Sequence, residues 1–210
     1  MISLDEARMT HTTEALMLQY YLYRENDRIY TAFSKDFGRI QLIARGTNRI
    51  TSKLAGHAEP GVLSHLMIAK GAGLDVMAQA NTIDPFLNVR SDMEKWSAAL
   101  VVLEGLATLA TPYEPDPKSF YLAIQTLKII EAQSSMENYI AAVYHYLLRF
   151  LVIVGYAHDV EDEAMLKNLL VADVGQDAIL VEDRARGLIM KYLTHALDGG
   201  RLLCLKALHD

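Results

Sequence analysis

The stretch that decides the fold runs from Glu14 to Ala44: EALMLQYYLY (14–23), a turn at Glu25-Asn26-Asp27, RIYTAF (28–33), a second turn at KDFG (35–38), and RIQLIA (39–44). In the last piece Ile40, Leu42 and Ala44 fall on one side and Arg39, Gln41 and Ile43 on the other, the two-residue period of a strand with one buried face. In the second piece Ile29, Ala32 and Phe33 mix with Arg28, Tyr30 and Thr31. Asn, Asp and Gly in the two turns suit tight reversals, because they tolerate turn backbone or bond to it locally. Downstream, Val62–Ala69 and Leu74–Ala80 read as two further strands joined at Lys70-Gly71-Ala72-Gly73, after a polar loop from Arg45 to Gly56. Five strands within roughly 70 residues, with short turns and one longer basic loop, predict a small closed barrel, and closure removes the exposed edges of an open sheet.

The remainder carries helical signals. Ser91-Asp92-Met93-Glu94 reads as a capping box with Ser91 at the N-cap, opening a helix that runs toward Ala110. Pro112–Pro117 reads as a linker. Asp116-Pro117 starts the next helix, toward Ala132, with Asp as cap and Pro in the first turn. Ser134-Ser135-Met136-Glu137 offers a second capping box, and Ile140, Val143, Tyr144, Leu147, Leu148, Leu151 and Val154 follow at helical spacing until Gly155. Ala164–Val171 is expected as a short helix, Asp173–Leu180 as irregular, and Glu182–Leu197 as a helix closed by Gly199-Gly200. The apolar tail Leu202–Leu208 is expected to pack back on the bundle. The fold class is therefore α+β: an N-terminal OB-like β-barrel (10–82) followed by an α-helical C-terminal domain (86–210).

Of the 210 residues 51% are apolar and 22% charged, which is enough apolar content to order the chain. The N-terminus Met1-Ile2-Ser3-Leu4-Asp5-Glu6 is acidic where a secretory signal is basic. The longest apolar run, Tyr144–Tyr156, is broken by His145 and Arg149 and is too short to span a bilayer. These readings predict a cytoplasmic protein without a membrane segment. The single cysteine, Cys204, excludes an intrachain disulfide and a cysteine-based zinc site.

The net charge of −6 is unevenly spread. Between Arg28 and Lys70 seven Lys or Arg face two acids, Asp36 and Glu59, a balance of +5, whereas residues 86–210 hold 11 basic and 17 acidic side chains, a balance of −6. Phosphate attraction acts over about 10 Å, so a basic patch on an acidic chain is compatible with nucleic-acid binding.

Several runs together resemble the N-terminal barrel of the bacterial RecO recombination-mediator family. They are Glu14-Ala15-Leu16, Tyr23-Arg24-Glu25-Asn26-Asp27-Arg28-Ile29, Phe37-Gly38-Arg39-Ile40, Ala44-Arg45-Gly46, Ser52-Lys53-Leu54 and Glu59-Pro60. The helical half continues the likeness at EPDPKSF (114–120), Gly155-Tyr156 and Gly200-Arg201-Leu202-Leu203 to Lys206. Many members of that family carry a four-cysteine zinc module after the position of Gly155-Tyr156. Here the stretch Ala157–Asp183 has no cysteine, so the chain looks like a zinc-free member with a shortened insert. The resemblance implies binding of single- and double-stranded DNA, annealing of complementary strands, contact with the C-terminal tail of single-strand-binding protein, and work with a RecR-type mediator to load the RecA recombinase.

The candidate DNA-binding residues are Arg28, Lys35, Arg39, Arg45, Arg49 and Lys53, whose cations can neutralise phosphates and release counterions. Arg45, Arg49 and Lys53 recur every fourth residue through a loop whose Gly46, Thr47, Asn48, Thr51 and Ser52 can donate further bonds to phosphate oxygens. The bland alternative is a solvated barrel surface. Tyr20, Tyr21, Tyr23 and Tyr30 are candidates for stacking on bases. Tyr20 and Tyr21 are neighbours and face opposite sides of a strand, so at most one serves; inward rings are core. Glu25 and Asp27 beside Arg28 read as a turn with a local ion pair rather than a catalytic pair. The seven histidines have no metal-ligand spacing, although His57 and His65 could add polar contacts on the barrel. Gly71-Ala72-Gly73 lacks a following helix and reads as a hairpin turn, not a phosphate cradle. Cys204, in an apolar tail, reads as a small buried hydrophobe. In the helical half a groove for an apolar, acidic peptide tail would need local basic residues such as Arg149, Arg184, Arg186 and Lys191. No nucleophile, metal or nucleotide motif points to catalysis, and no cofactor is expected. Two rival readings remain: a protein-interaction adaptor that never touches DNA, favoured by the acidic pI of about 5.6, and a small hydrolase with an unrecognised site, against which the absence of any paired acid/base constellation counts.

Overall fold

The computed structural model of the chain describes residues 10–49, 52–157, 164–171, 181, 183–200 and 202–207. The expected irregular segment Asp173–Leu180, and most of the cysteine-free stretch Ala157–Asp183, lie outside them. The chain divides into two compact units, Met1–Pro85 with Ala110–Phe120, and Phe86–Leu109 with Tyr121–Asp210.

In the first unit five strands close a barrel in the order β1-β2-β3-β5-β4: β1 (Thr10–Tyr23), β2 (Asp27–Ser34), β3 (Gly38–Ala44), β4 (Leu63–Ala69) and β5 (Asp75–Asp84). This is the OB-like arrangement. β1 is antiparallel to both β2 and β4, and the ring closes through a parallel pairing of β3 with β5 at Leu42–Asp75 and Ile43–Val76. Along β3 the predicted alternation is realised: Ile40, Leu42 and Ala44 are buried in the barrel with Ala15, Met17, Tyr30, Ala32, Leu66, Ile68, Met77 and Ala80. Each fully buried aliphatic side chain there contributes about 1.5–3 kcal/mol relative to exposure. β1 begins at Thr10, four residues before the apolar run, because Thr10–Thr13 pair with Leu66–Ala69. β-branched threonines suit a half-exposed strand, although an apolar pattern does not reveal them.

A bulge interrupts β1 between Met17, opposite Ala32, and Gln19, opposite Thr31. It reverses the inward–outward alternation. Before it Ala15 and Met17 point inward; after it Tyr20 points inward, its ring 5.4 Å from that of Tyr30. An extra residue in one strand has this effect because the side-chain period is two.

The expected linker Pro112–Pro117 is instead part of this unit. Pro112 forms a parallel bridge with Arg39, and the Tyr113 N–H donates to the Arg39 carbonyl at 3.0 Å. The physical reason is that β5 begins only at Asp75, opposite Leu42, so the start of β3 has backbone groups that need another partner. Gly38 makes the approach possible. Its φ is +63°, and a Cβ there would lie 1.9 Å from the Glu114 carbonyl oxygen.

The second unit is helical: α1 (Leu87–Arg90), α2 (Met93–Leu109), α3 (Pro117–Ala132, its first turn in the first unit), α4 (Met136–Ile153), α5 (Ala164–Val171), α6 (Asp183–Ala196) and α7 (Leu203–Ala207). α4 is its centre. Eleven of the 18 residues of α4 are buried, so apolar side chains face several directions at once, and α2, α5 and α6 all pack on it. Gly105 of α2 brings its backbone to the stacked rings of Tyr146 and Phe150, and the Tyr146 hydroxyl donates to the Val102 carbonyl at 3.2 Å.

Three helix ends differ in detail from the sequence reading. Asp92, not Ser91, caps α2: its carboxylate accepts from the Glu94 and Lys95 N–H groups at 3.0 and 3.2 Å, while Ser91 ends α1. Asp competes well with Ser for this position because it adds negative charge at the positive end of the helix. Ser135 is the N-cap of α4, and it satisfies Asn138 and Tyr139 through its backbone carbonyl rather than its side chain. At the end of α6, Asp198 takes the left-handed position at φ +50°, and Gly199 N–H reaches back to the Thr194 carbonyl at 2.8 Å. Gly155, at φ +84°, ends α4 as expected, with Tyr156 N–H bonded to the Leu151 carbonyl at 2.8 Å. Asp116 caps α3 through the Ser119 N–H at 3.0 Å.

Candidate nucleic-acid interface

The structure separates the six predicted cations. Arg28 shares the inward parity of Tyr30 and sits at the mouth of the barrel. Its guanidinium lies 4.2 Å from the Tyr20 ring centroid, bonds Glu59 Oε1 at 3.2 Å and reaches Asn48 Oδ1 at 3.4 Å. Burial works against its charge, but Tyr30, Tyr20 and Glu59 more than offset that, and its pKa is raised. Tyr30 is raised too, first by burial. Arg28 therefore braces the barrel mouth. Lys35 and Arg39 flank the β2–β3 turn at the other end, about 20 Å along the strands from the β1–β2 turn.

Arg45 and Arg49 belong together. The Asp27 carboxylate accepts from the Gly46 N–H at 2.8 Å, the Asn48 N–H donates to the Asn26 carbonyl at 3.0 Å, and the buried Thr47 hydroxyl donates to the Ala44 carbonyl at 2.9 Å. The start of the basic loop is thus laced onto the β1–β2 turn. Asp27 is a structural acceptor there and not half of an ion pair with Arg28. Arg45, Arg49 and Lys53 are exposed, and among the described residues none of them makes a salt bridge.

Beside Arg45 a cleft of about 660 Å³ opens on the outer face of the barrel. Its floor is Ile29, Ile43 and Val76, neighbours across β2, β3 and β5. Its walls are the β1–β2 turn, with Tyr23, Arg24 and Asp27, and the β4–β5 loop Gly71–Leu74. In OB barrels the face of strands 2 and 3, bordered by these same two loops, is where oligonucleotides bind. Arg24, which is not among the six cations expected to bind DNA, stands at φ +54° with its guanidinium 5.1 Å from the Tyr23 ring centroid. Only the fold reveals it, since its position depends on where the hairpin turns. The Gly71–Gly73 loop is a wall of the cleft, not a separate cradle. Of the tyrosines, Tyr20 and Tyr30 are taken by the barrel interior, while Tyr21 and Tyr23 are exposed. His57 is engaged with Thr82 Oγ1 at 2.8 Å, and His65 is exposed on β4.

In the second unit Arg186 is turned to Asp183 at 3.8 Å and to the Tyr144 ring, and Arg149 is half-buried, leaving Arg184 and Lys191 exposed on α6. Cys204 is half-buried at the start of α7. There the Leu203 and Cys204 N–H groups both donate to the Glu104 carboxylate at 2.8 Å, and burial together with that carboxylate pushes the thiol up to about 11. Among the described residues no group of three His, Cys, Asp or Glu could hold a metal, and no helix is long and apolar enough to cross a membrane.

Residues 9–86 match the family described as Recombination protein O N terminal, and residues 90–169 match Recombination protein O C terminal. The chain belongs to the RecO family. It is 32% identical over 155 residues to the DNA repair protein RecO of a Nocardioides species, covering 73% of this chain and 63% of that protein. Over 160 residues it is 31% identical to the DNA repair protein RecO of Cutibacterium acnes, covering 73% and 64%. The corresponding protein of Caldanaerobacter subterraneus is 25% identical over 144 residues, covering 69% and 58%. The matches span about three-fifths of the length of these RecO relatives.

Proposed function

We propose that this RecO-family chain is a non-catalytic, cytoplasmic DNA-binding protein of recombinational repair. It holds phosphate backbones at the barrel cleft and brings complementary strands together. It helps a RecR-type partner load recombinase on single strands coated by single-strand-binding protein, whose C-terminal tail it contacts. The observation that carries this reading is the cleft on the β2–β3 face, with Arg24 and Arg45 at its mouth and Arg49 and Lys53 exposed nearby. The cations attract phosphates, and the ordered loop start fixes where Arg45 and Arg49 stand. Lys35 and Arg39 form a second, smaller basic site at the far end of β3, where a longer strand would reach.

The test is fluorescence anisotropy of a labelled single strand at increasing salt, with an Arg45→Glu/Arg49→Glu/Lys53→Glu variant alongside. Binding should weaken with salt, and the variant should lose at least about tenfold in affinity and reduce the slope of log K against log salt by about 2. No binding by the wild type at low salt would favour the adaptor reading, which the acidic balance of residues 86–210 supports. In that reading a protein partner binds the chain and is indifferent to the charge reversal.

A further inference from the structure

The first unit exposes three large side chains in a row at the tip of the β1–β2 hairpin: Tyr21 at 48%, Leu22 at 64% and Tyr23 at 37%. The bulge in β1 decides which of them face the cleft. With an unbroken alternation from Ala15 and Met17, Tyr21 and Tyr23 would point into the barrel; the extra residue turns them out and sends Tyr20 in. Tyr21 then stands beside Ile29 of the cleft floor, and Tyr23 forms a wall. Arg24 lies over one face of the Tyr23 ring, and Arg45 lines the same cleft. Two exposed aromatic rings beside a cleft lined by Arg24 and Arg45 make a combination that phosphate attraction alone does not require.

We propose that Tyr21 and Tyr23 stack on unpaired bases, so that this cleft prefers single-stranded nucleic acid to duplex; the proposal rests on the reading of the cleft as a nucleic-acid surface. A duplex hides its base faces in its own stack and offers cations only its backbone. An unpaired strand offers both, so the rings add affinity for it alone. The occupant is argued from charge complementarity: Arg24 and Arg45 line the cleft, the one carboxylate among its described lining residues, Asp27, is bound by the Gly46 N–H, and the two exposed cations match a phosphate chain threaded past stacked bases.

The full chain is tested against a labelled oligothymidine and a labelled duplex of equal length, each at several salt concentrations. The proteins compared are wild type, Tyr21→Leu/Tyr23→Leu, Tyr21→Phe/Tyr23→Phe and Arg45→Glu. The leucine pair keeps apolar bulk without the aromatic face. It should bind the single strand at least about tenfold more weakly, bind the duplex within about twofold of wild type, and keep the salt slope. The phenylalanine pair should restore single-strand binding. Equal losses on both probes, or no loss on either, overturn stacking while leaving the cleft reading intact if Arg45→Glu still weakens both. Failure of the wild type to bind either probe at low salt sinks the cleft reading itself, and stacking with it.

Discussion

The guanidinium of Arg28 lies over the ring of Tyr20 at 4.2 Å, inside the barrel mouth, with Glu59 bonded to its other side at 3.2 Å. A cation that reads in sequence as a phosphate ligand is thereby a brace between β1, β2 and the segment before β4. Only 15% of its side-chain surface is exposed. Removing one partner leaves the other charge poorly compensated. Arg28→Met and Glu59→Gln are each expected to cost about 1–3 kcal/mol, lowering the midpoint of thermal unfolding by several degrees. The salt slope of DNA binding should stay as in wild type for Arg28→Met. A slope reduced by about 1, with unchanged stability, would instead make Arg28 a phosphate contact.

Gly38→Ala should be far more damaging than its size suggests. The position has φ +63°, and the added methyl would sit 1.9 Å from the Glu114 carbonyl oxygen. Left-handed backbone at a residue with a Cβ costs about 1–2 kcal/mol, and relieving the clash must displace the Arg39–Tyr113 bond. A loss of at least about 2 kcal/mol in denaturant unfolding is expected, against a change within about 0.5 for Gly56→Ala, where a Cβ meets nothing within 4 Å.

The thiol of Cys204 should be sluggish. With its pKa pushed up to about 11 by burial and by the Glu104 carboxylate, about one thiol in a thousand is ionised at pH 8. Reaction with a disulfide reagent at that pH should run about a hundredfold slower than with free cysteine and accelerate as pH rises toward 11. Glu104→Gln should speed it. A rate equal to that of free cysteine would contradict the packing of α7.

Tyr139 is buried and donates to the Glu94 carboxylate, and burial followed by that neighbour raises its pKa well above the ordinary value. The folded state therefore keeps a proton that the unfolded chain releases near pH 10. The sign follows: the contribution is intact below about pH 10 and is lost as pH climbs above it. Denaturant unfolding between pH 8 and 11 should show an alkaline fall in stability that is shallower in Tyr139→Phe. An identical fall in both proteins would remove Tyr139 from the account.

Much of the barrel is legible because strands with one buried face write a period of two, and RIQLIA does so plainly. What the sequence hides is whatever depends on counting across a defect or on a distant partner. Tyr20 and Tyr21 can be assigned to opposite faces from adjacency alone, but which of them faces inward depends on the bulge near Leu18, and no residue there announces an inserted position. Arg28 and Arg39 look alike in composition, and only strand parity separates the inward brace from the outward cation. Pro112–Glu114 has the residue types of a linker because its pairing partner, Arg39, lies some seventy residues upstream, beyond the reach of any local pattern.

The same pairing has a consequence for biosynthesis. All five strands have been made by Asp84, yet the piece that completes β3 is still about 30 residues away, a few seconds of translation. During that interval the start of β3 is a strand edge with unpaired amides and carbonyls, and such an edge accepts a strand from any nearby chain. Crowded polysomes making this protein would bring identical edges close together. The glycine opposite Glu114, which admits the late segment so closely, therefore also helps end a nascent chain's exposure to its neighbours.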